Sequence, residues 1–502
     1  MLLPPLKAVS MTSVRRALAI TFIERHLMIV LALGSNMLLA RLLTPEEIGL
    51  YSVNLAFIGI AHMLRDFGIS NFLVQAPKLS TTEIRTSFGI SLLLGAALFG
   101  VLCLVAPLIA DFYKDPRLTD TLRICALNFL VLPFNSVPSA LMRRDMQFQR
   151  LVYITLTAAL AGTATTVGLA LLGTGPNSMA IGAVATSTIT AIGAYAARQD
   201  FRGLAPSLVG WRPIANFGGQ SAFTSVVTSI SMDIHELAMG KVLGFAPVAI
   251  ISRAQGLMNM IHRDLMSAVR SVAYPAFART FRAGGDVEAQ HVQSVVNMTA
   301  LAWPAYGLLG IHAADFIHIL FGAQWTAAVP LVPFFCAAGA VYTVASLVTA
   351  QMMAIGRIDL VTRAELIIQP TRAAILVTVV LVFKSVFAFA IAFLLVFVAS
   401  VPILYAIKAQ AVQSRLRPMC TGLMRSSACA LGPLAVALTL QVLFSASDGR
   451  IGLLLLAVSI GTAVVLWFTG ITLFNHPLRT ELLYSRVIGM VGFRGLSSSQ
   501  GG

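Results

Sequence analysis

The chain has 502 residues, 57% of them hydrophobic and only 11% charged, with 35 Lys and Arg against 20 Asp and Glu for a formal net charge of +15. A soluble domain of this length does not have such a composition, which excludes an ordinary cytosolic enzyme or binding module. The basic surplus needs no nucleic acid to explain it, because a solvated cationic face against anionic membrane lipids accounts for it.

A helix that crosses hydrocarbon needs roughly 20 apolar residues. In chain order such segments fall near 17–43, 48–72, 86–110, 118–141, 152–173, 177–197, 216–239, 245–274, 290–312, 327–353, 360–383, 386–408, 423–445 and 452–474. They predict an all-α membrane protein of about fourteen transmembrane helices. Helices are expected rather than a barrel because backbone groups in lipid must be paired internally and the period-2 alternation of barrel strands is missing. Ahead of the first segment, Ser13-Val14-Arg15-Arg16 has the look of a twin-arginine export signal. Glu24-Arg25-His26 interrupts the run that follows and no small-residue cleavage site appears, so a retained helix after a cytoplasmic stretch 1–16 is expected.

The basic residues fall in alternate gaps. One set of gaps holds 22 Lys and Arg, among them Arg143, Arg144, Lys408, Arg415, Arg417 and Arg425, and the other holds 6: Arg41, Lys114, Arg117, Lys241, Lys384 and Arg450. By the positive-inside bias, both termini are expected in the cytoplasm, with the protein in the inner membrane.

Two stretches 200 residues apart are weakly alike. Arg41-Leu42-Leu43-Thr44-Pro45 leads into Tyr51-Ser52, and Lys241-Val242-Leu243-Gly244 leads into Ile251-Ser252. The pattern predicts two six-helix bundles of like topology, 17–200 and 213–411, with an extra C-terminal hairpin at 423–474 and a disordered tail over 475–502. Parallel repeats of this kind are a transporter trait, with a substrate site between the halves. Pro133, Pro138, Pro304, Pro370 and Pro402 interrupt helices, either as hinges or as fixed kinks.

The stretch Leu39-Ala40-Arg41-Leu42-Leu43-Thr44-Pro45-Glu46-Glu47-Ile48-Gly49-Leu50-Tyr51, followed by Arg65-Asp66-Phe67-Gly68, resembles the first-hairpin signature of the oligosaccharide flippases of bacterial polysaccharide biosynthesis. These belong to the multidrug, oligosaccharidyl-lipid and polysaccharide exporter superfamily. Gly240-Lys241-Val242-Leu243-Gly244 through Ile251-Ser252-Arg253-Ala254 is similar to the same family's seventh and eighth helices, departing where Ile250-Ile251 replaces a leucine-tyrosine pair. The resemblance implies that a polyprenyl-pyrophosphate-linked oligosaccharide is turned from the cytoplasmic to the periplasmic leaflet by alternating access, for exopolysaccharide, capsule or O-antigen assembly. Its partners would be that substrate, membrane lipids, and a polysaccharide polymerase with export machinery.

A pyrophosphate and a hydrated glycan do not cross hydrocarbon unaided, so a wet, cationic cavity is expected. Arg253 and Arg372 fall deep in predicted helices and are candidate substrate contacts, since a guanidinium fork matches phosphate oxygens. The alternative is an arginine that ties helices together. Arg65, Arg263 and Arg270 join the candidate set, although the last two, seven residues apart, also suit snorkelling to lipid head groups. Glu24, Asp66, Asp233 and Glu236 are candidates for H+ or Na+ coupling, with salt-bridging to cavity arginines as the alternative. His235, His262, His312 and His318 are weaker relay candidates.

No cofactor or metal is expected, and the five cysteines form no CxxC pair. No nucleophile elbow, phosphate-cradling glycine loop or HExxH motif points to an enzyme, and the gaps leave no room for the large outer loop of a polymerase or ligase. A cation-coupled multidrug exporter shares the implied fold. It would carry several acids deep in its N-terminal half, where Glu24 and Asp66 stand nearly alone.

Overall fold

The structure is a computed structural model that describes residues 11–66, 69–76, 79–198, 201, 205–212 and 233–480. Among the described residues every regular element is a helix. Among the described residues eleven helical stretches are long and apolar enough to cross a membrane, one of them the run Ala323–Ala354 made of three shorter helices. The chain divides into two compact units, residues 1–249 and 250–502.

The first unit holds α1 (Met11–Leu42), α2 (Pro45–Asp66), α3 (Ile69–Gln75), α4 (Thr81–Tyr113), α5 (Arg117–Arg144), α6 (Phe148–Leu171), α7 (Asn177–Ala197) and α8, described over 233–243. Helix ends follow local chemistry. Ser80 caps α4 in a reciprocal box with Glu83, and Lys114 closes that helix in the left-handed conformation at φ 61°, its amide bonded to the carbonyls of Ala110 and Asp111. The core packs Tyr51 of α2 with Ala106 of α4, Leu122 and Phe129 of α5 and Ala180 of α7. At the α6–α7 crossing two Gly-x3-Thr pairs interlock. A Cβ on Gly162 would lie 1.7 Å from Thr186 Oγ1, and one on Gly182 would lie 1.7 Å from Thr166 Oγ1. Each threonine also donates to its own helix's glycine carbonyl at 2.9 Å, so both hydroxyls are satisfied where the helices approach closely.

The second unit follows the start of α9 (Phe245–Arg282) with α10 (Val287–Ile311), α11 (Ala313–Leu320), a 3-10 helix (Ala323–Leu331), α12 (Val332–Thr343), α13 (Val348–Ala354), α14 (Ile358–Phe383), α15 (Val386–Lys408), α16 (Leu416–Phe444) and α17 (Leu453–Leu473). Its core gathers Val292, Val296, Val348, Met352, Leu404 and Tyr405.

Several sequence expectations are revised. The segment 48–72 is described as α2 up to Asp66 and α3 from Ile69, with residues 67–68 outside the described residues; beyond them Arg144 of α5 donates to Leu73 O at 2.9 Å and Ala76 O at 2.6 Å. The segment 327–353 is broken into the 3-10 helix, α12 and α13. Thr343 donates to Gly339 O and Ser346 to Thr343 O, both at 2.8 Å, and such back-bonding competes with the helical ladder at the break. Residues 475–480, counted in the tail expected to be disordered, instead carry a short 3-10 turn (Pro477–Thr480) behind the buried His476. Of the remaining predicted spans, α1 offers a shorter apolar stretch, His26–Leu42, and most of 216–239 lies outside the described residues. α9 carries Arg253, Arg263, Asp264 and Arg270 within one stretch and is not among the eleven apolar helices.

Candidate functional site

The resemblance-bearing stretch builds a packed junction in the first unit. Thr44 and Glu47 form a capping box: Glu47 N donates to Thr44 Oγ1 at 3.3 Å, and Thr44 N donates to Glu47 Oε2 at 2.8 Å. With its N-terminus so held, α2 presents Glu46 to the start of α9, where Glu46 Oε2 accepts from Ala246 N at 3.1 Å. One turn on, Gly49 lies against Phe245 so closely that a Cβ would sit 1.8 Å from the Phe245 carbonyl oxygen. The two similar turns noted in the sequence therefore touch each other, with Glu46 and Ala246 standing 200 residues apart.

The α4–α5 turn completes this junction. Tyr113 stacks on Phe245 with ring centroids 5.8 Å apart and donates its hydroxyl to Leu237 O at 2.9 Å. The Lys241 ammonium bonds to Phe112 O and lies 4.3 Å from the Phe112 ring centroid. Arg117 pairs with Asp115 at 2.6 Å and reaches Glu46 at 3.8 Å. Hydrogen bonding from Arg117 holds the Asp115 carboxyl below the usual carboxylate range.

The candidate cations occupy different settings. Arg253 is buried on α9, its guanidinium 5.0 Å from the ring centroid of Phe321 and 4.9 Å from that of Trp325. Arg372, half-buried on α14, bonds to Gln369, which donates to Glu365 Oε2 at 2.8 Å. Its guanidinium lies 5.5 Å from the Phe397 ring, which meets Tyr342 at 5.2 Å, and Tyr342 in turn meets His262 at 5.5 Å. Arg372 thus belongs to a polar and aromatic cluster shared by α9, α12, α14 and α15, while Arg253 is held against the 3-10 segment. Arg65 is buried near the end of α2, and Arg270 is exposed with Nε donating to Met266 O one turn back at 3.3 Å. The side chains of Arg263 and Asp66 lie outside the described residues.

The candidate acids are likewise dispersed. Glu24 accepts from Thr155 Oγ1 at 2.9 Å, joining α1 to α6. Asp233 and Glu236 are half-buried on α8, Asp233 so near α2 that a Cβ on Gly59 would meet its carboxylate at 3.4 Å. Of the histidines, His235 is buried, and His318 Nε2 bonds to Thr326 Oγ1 at 2.8 Å. Among the described residues no group of three or more His, Cys, Asp or Glu is placed to hold a metal.

Sequence reasoning missed a buried ion pair. Lys408, counted among the solvated basic residues, is fully buried and lies 2.7 Å from Glu288, itself buried on the first turn of α10. Gln351 Nε2 and Arg415 N donate to the same carboxylate at 3.0 and 3.2 Å, and the ammonium lies 4.9 Å from the Tyr405 ring. Beside them, His291 Nε2 bonds to Tyr405 Oη at 3.2 Å. A lysine at a helix end reads as solvated, and its partner is too distant in sequence to give a local signal.

The fold is shared with solved membrane transporters. It resembles the lipid II flippase MurJ in an inward closed conformation, with a TM-score of 0.73 at 12% identity over 91% of this chain and 98% of that one. An inward-facing multidrug resistance MATE transporter gives a TM-score of 0.58 at 15% identity, over 79% of this chain and 94% of that one. The chain belongs to the polysaccharide biosynthesis protein family, whose profile matches residues 38–330. Among relatives, the lipopolysaccharide biosynthesis protein WzxC of Escherichia coli is 27% identical over 341 residues, covering 66% of this chain and 68% of the relative.

Proposed function

We propose that this protein is a flippase that carries polyprenyl-pyrophosphate-linked oligosaccharide repeat units from the cytoplasmic to the periplasmic leaflet of a bacterial inner membrane. The observation that carries this reading is membership of the polysaccharide biosynthesis family over 38–330, a match that takes in the whole Thr44–Gly49 junction. On this reading about fourteen helices cross the membrane with both termini in the cytoplasm. Two similar halves rock about a wet cavity, and no catalytic step is required. Intramembrane arginines answer the electrostatic need of a pyrophosphate in a low-dielectric setting. Arg372 is the preferred contact, because its direct hydrogen-bond partner is the neutral Gln369 amide, which a phosphate can outcompete, with the Glu365 carboxylate one step further along that chain of bonds. Arg253, clasped by two rings, suits a tying role. Coupling to an H+ or Na+ gradient through Glu24, Asp233 or Glu236 would supply direction.

Deleting the gene tests the proposal. Complete lipid-linked repeat units should accumulate on the cytoplasmic leaflet while surface polysaccharide is lost, and the full chain should restore both. Unchanged polysaccharide with new sensitivity to cationic drugs would overturn it in favour of a multidrug exporter.

A further inference from the structure

A groove of about 260 Å³ opens between the first turns of α10 and α16 in the second unit. Val292 and Val296 of α10 and Gly422 of α16 form its apolar wall, and Arg415, Arg425 and Pro477 stand at its rim. The two helices close together beneath it, since a Cβ on Gly422 would lie 2.3 Å from Val296.

Charge at this end is one-sided. Arg415, Arg417, Arg425 and Arg479 are all exposed. Arg425 and Arg479 are drawn together by Asn475, which accepts from Arg425 through its carbonyl at 3.3 Å and from Arg479 through its side chain at 3.0 Å. Of the two acids at the start of α10, the N-cap Asp286 pairs with Arg415 at 2.6 Å, and Glu288 is already committed to Lys408. Beside this cationic rim, α16 turns Leu416, Met424 and Leu431 outward, as a helix facing hydrocarbon does.

From this arrangement we infer that the groove holds the phosphate headgroup and first methylenes of an anionic membrane phospholipid. Guanidinium groups at the rim match phosphate oxygens, and an apolar wall continuous with lipid-exposed leucine and methionine accepts the acyl start. A free inorganic phosphate would satisfy only the first of these features. A polyprenyl phosphate shares the headgroup chemistry, so the test separates the two sources.

The full chain, purified in detergent, is titrated with dioleoyl phosphatidylglycerol or dioleoyl phosphatidylcholine, and bound lipid is counted by native mass spectrometry. Phosphatidylglycerol should be retained in preference. Arg425→Gln should weaken its retention about fivefold, the effect of one basic residue at a membrane surface. Ala289→Trp, which fills the groove mouth from an exposed position on α10 and leaves every arginine in place, should weaken it comparably. Arg363→Gln, a change outside the groove at a residue bonded to Gln410, should leave it unchanged. Equal retention of the two lipids, or an equal loss in Arg363→Gln, would overturn the inference. So would displacement of phosphatidylglycerol by undecaprenyl phosphate at lower concentration, which would give the groove to the substrate. None of these readouts depends on flippase activity.

Discussion

Gly49 shows how one missing carbon fixes a junction. With the Phe245 carbonyl where a Cβ would be, any larger residue must push α2 away from the start of α9 and break the Glu46–Ala246 bond. Gly49→Val should therefore lower thermal stability by the roughly 1–3 kcal/mol typical of overpacking. Gly168→Ala on α6, where nothing lies within 4 Å, should be neutral or stabilising by about 0.5–1 kcal/mol. Thermal shift of the purified variants compares the two, and equal losses would refute a specific contact at Gly49. The Glu288–Lys408 pair permits a sharper test. Glu288→Gln leaves a buried ammonium without its counter-charge and should destabilise by about 3–5 kcal/mol, whereas adding Lys408→Met should recover much of that loss. Additive losses in the double variant would show that the two groups are not coupled. Gly49 could be picked out in the sequence from its motif, although the reason for a glycine there could not. Lys408 could not be read, because its burial depends on α10 and α13 folding against the end of α15.

At the scale of elements, α16 and α17 are tied into the second unit by polar contacts spaced along α10. Ser426 donates to Val296 O at 3.1 Å, Trp467 Nε1 to Ala300 O at 2.7 Å, and His312 bonds to both Gln441 and Ser459 at 2.8 Å. At the far end Asp315 accepts from Ile451 N at 3.2 Å and Gly452 N at 3.1 Å. Apolar runs and basic gaps announced both helices but not this attachment, which rests on isolated Ser, His, Trp and Asp side chains that carry no periodicity. The segment after α17 extends the tie. His476 Nδ1 accepts from Leu478 N and Nε2 faces Ser426 Oγ, both at 3.1 Å, so the neutral ring fits and a second ring proton would oppose the Leu478 N–H. Burial, with Arg425 adjacent, pushes this histidine down to about 4. A depressed histidine contributes stability that is complete above its ordinary value of about 6.5 and fades as pH falls toward the folded value. Melting temperature should accordingly drop between pH 7.5 and 5 in the parent. The drop should be smaller in His476→Asn, and an identical pH dependence in the two proteins would dismiss the tail as a titrating anchor.

For the molecule as a transporter, the two deep arginines are expected to part company. Arg253 packs against Phe321 and Trp325, and the two buried cation–π contacts hold α9 to the end of α11 and the 3-10 segment, each contributing up to about 2 kcal/mol. Its loss should appear first as lost protein. Arg253→Gln should reduce membrane abundance, and Arg253→Lys should not rescue it fully, because a compact ammonium cannot reproduce the contact of a planar guanidinium with two rings. Arg372 bonds to Gln369 on its own helix and meets α15 through the single ring of Phe397, against two rings for Arg253, so it holds elements together less. Arg372→Gln should therefore leave abundance near that of the parent while lowering surface polysaccharide, and Arg372→Lys should restore part of the transport through charge alone. Immunoblotting of membranes alongside surface-polymer assay separates the two effects. If Arg372→Gln also removes the protein from the membrane, both arginines tie helices, and the cation proposed to meet a substrate phosphate lies elsewhere, with Arg65, buried at the end of α2, as the next residue to change.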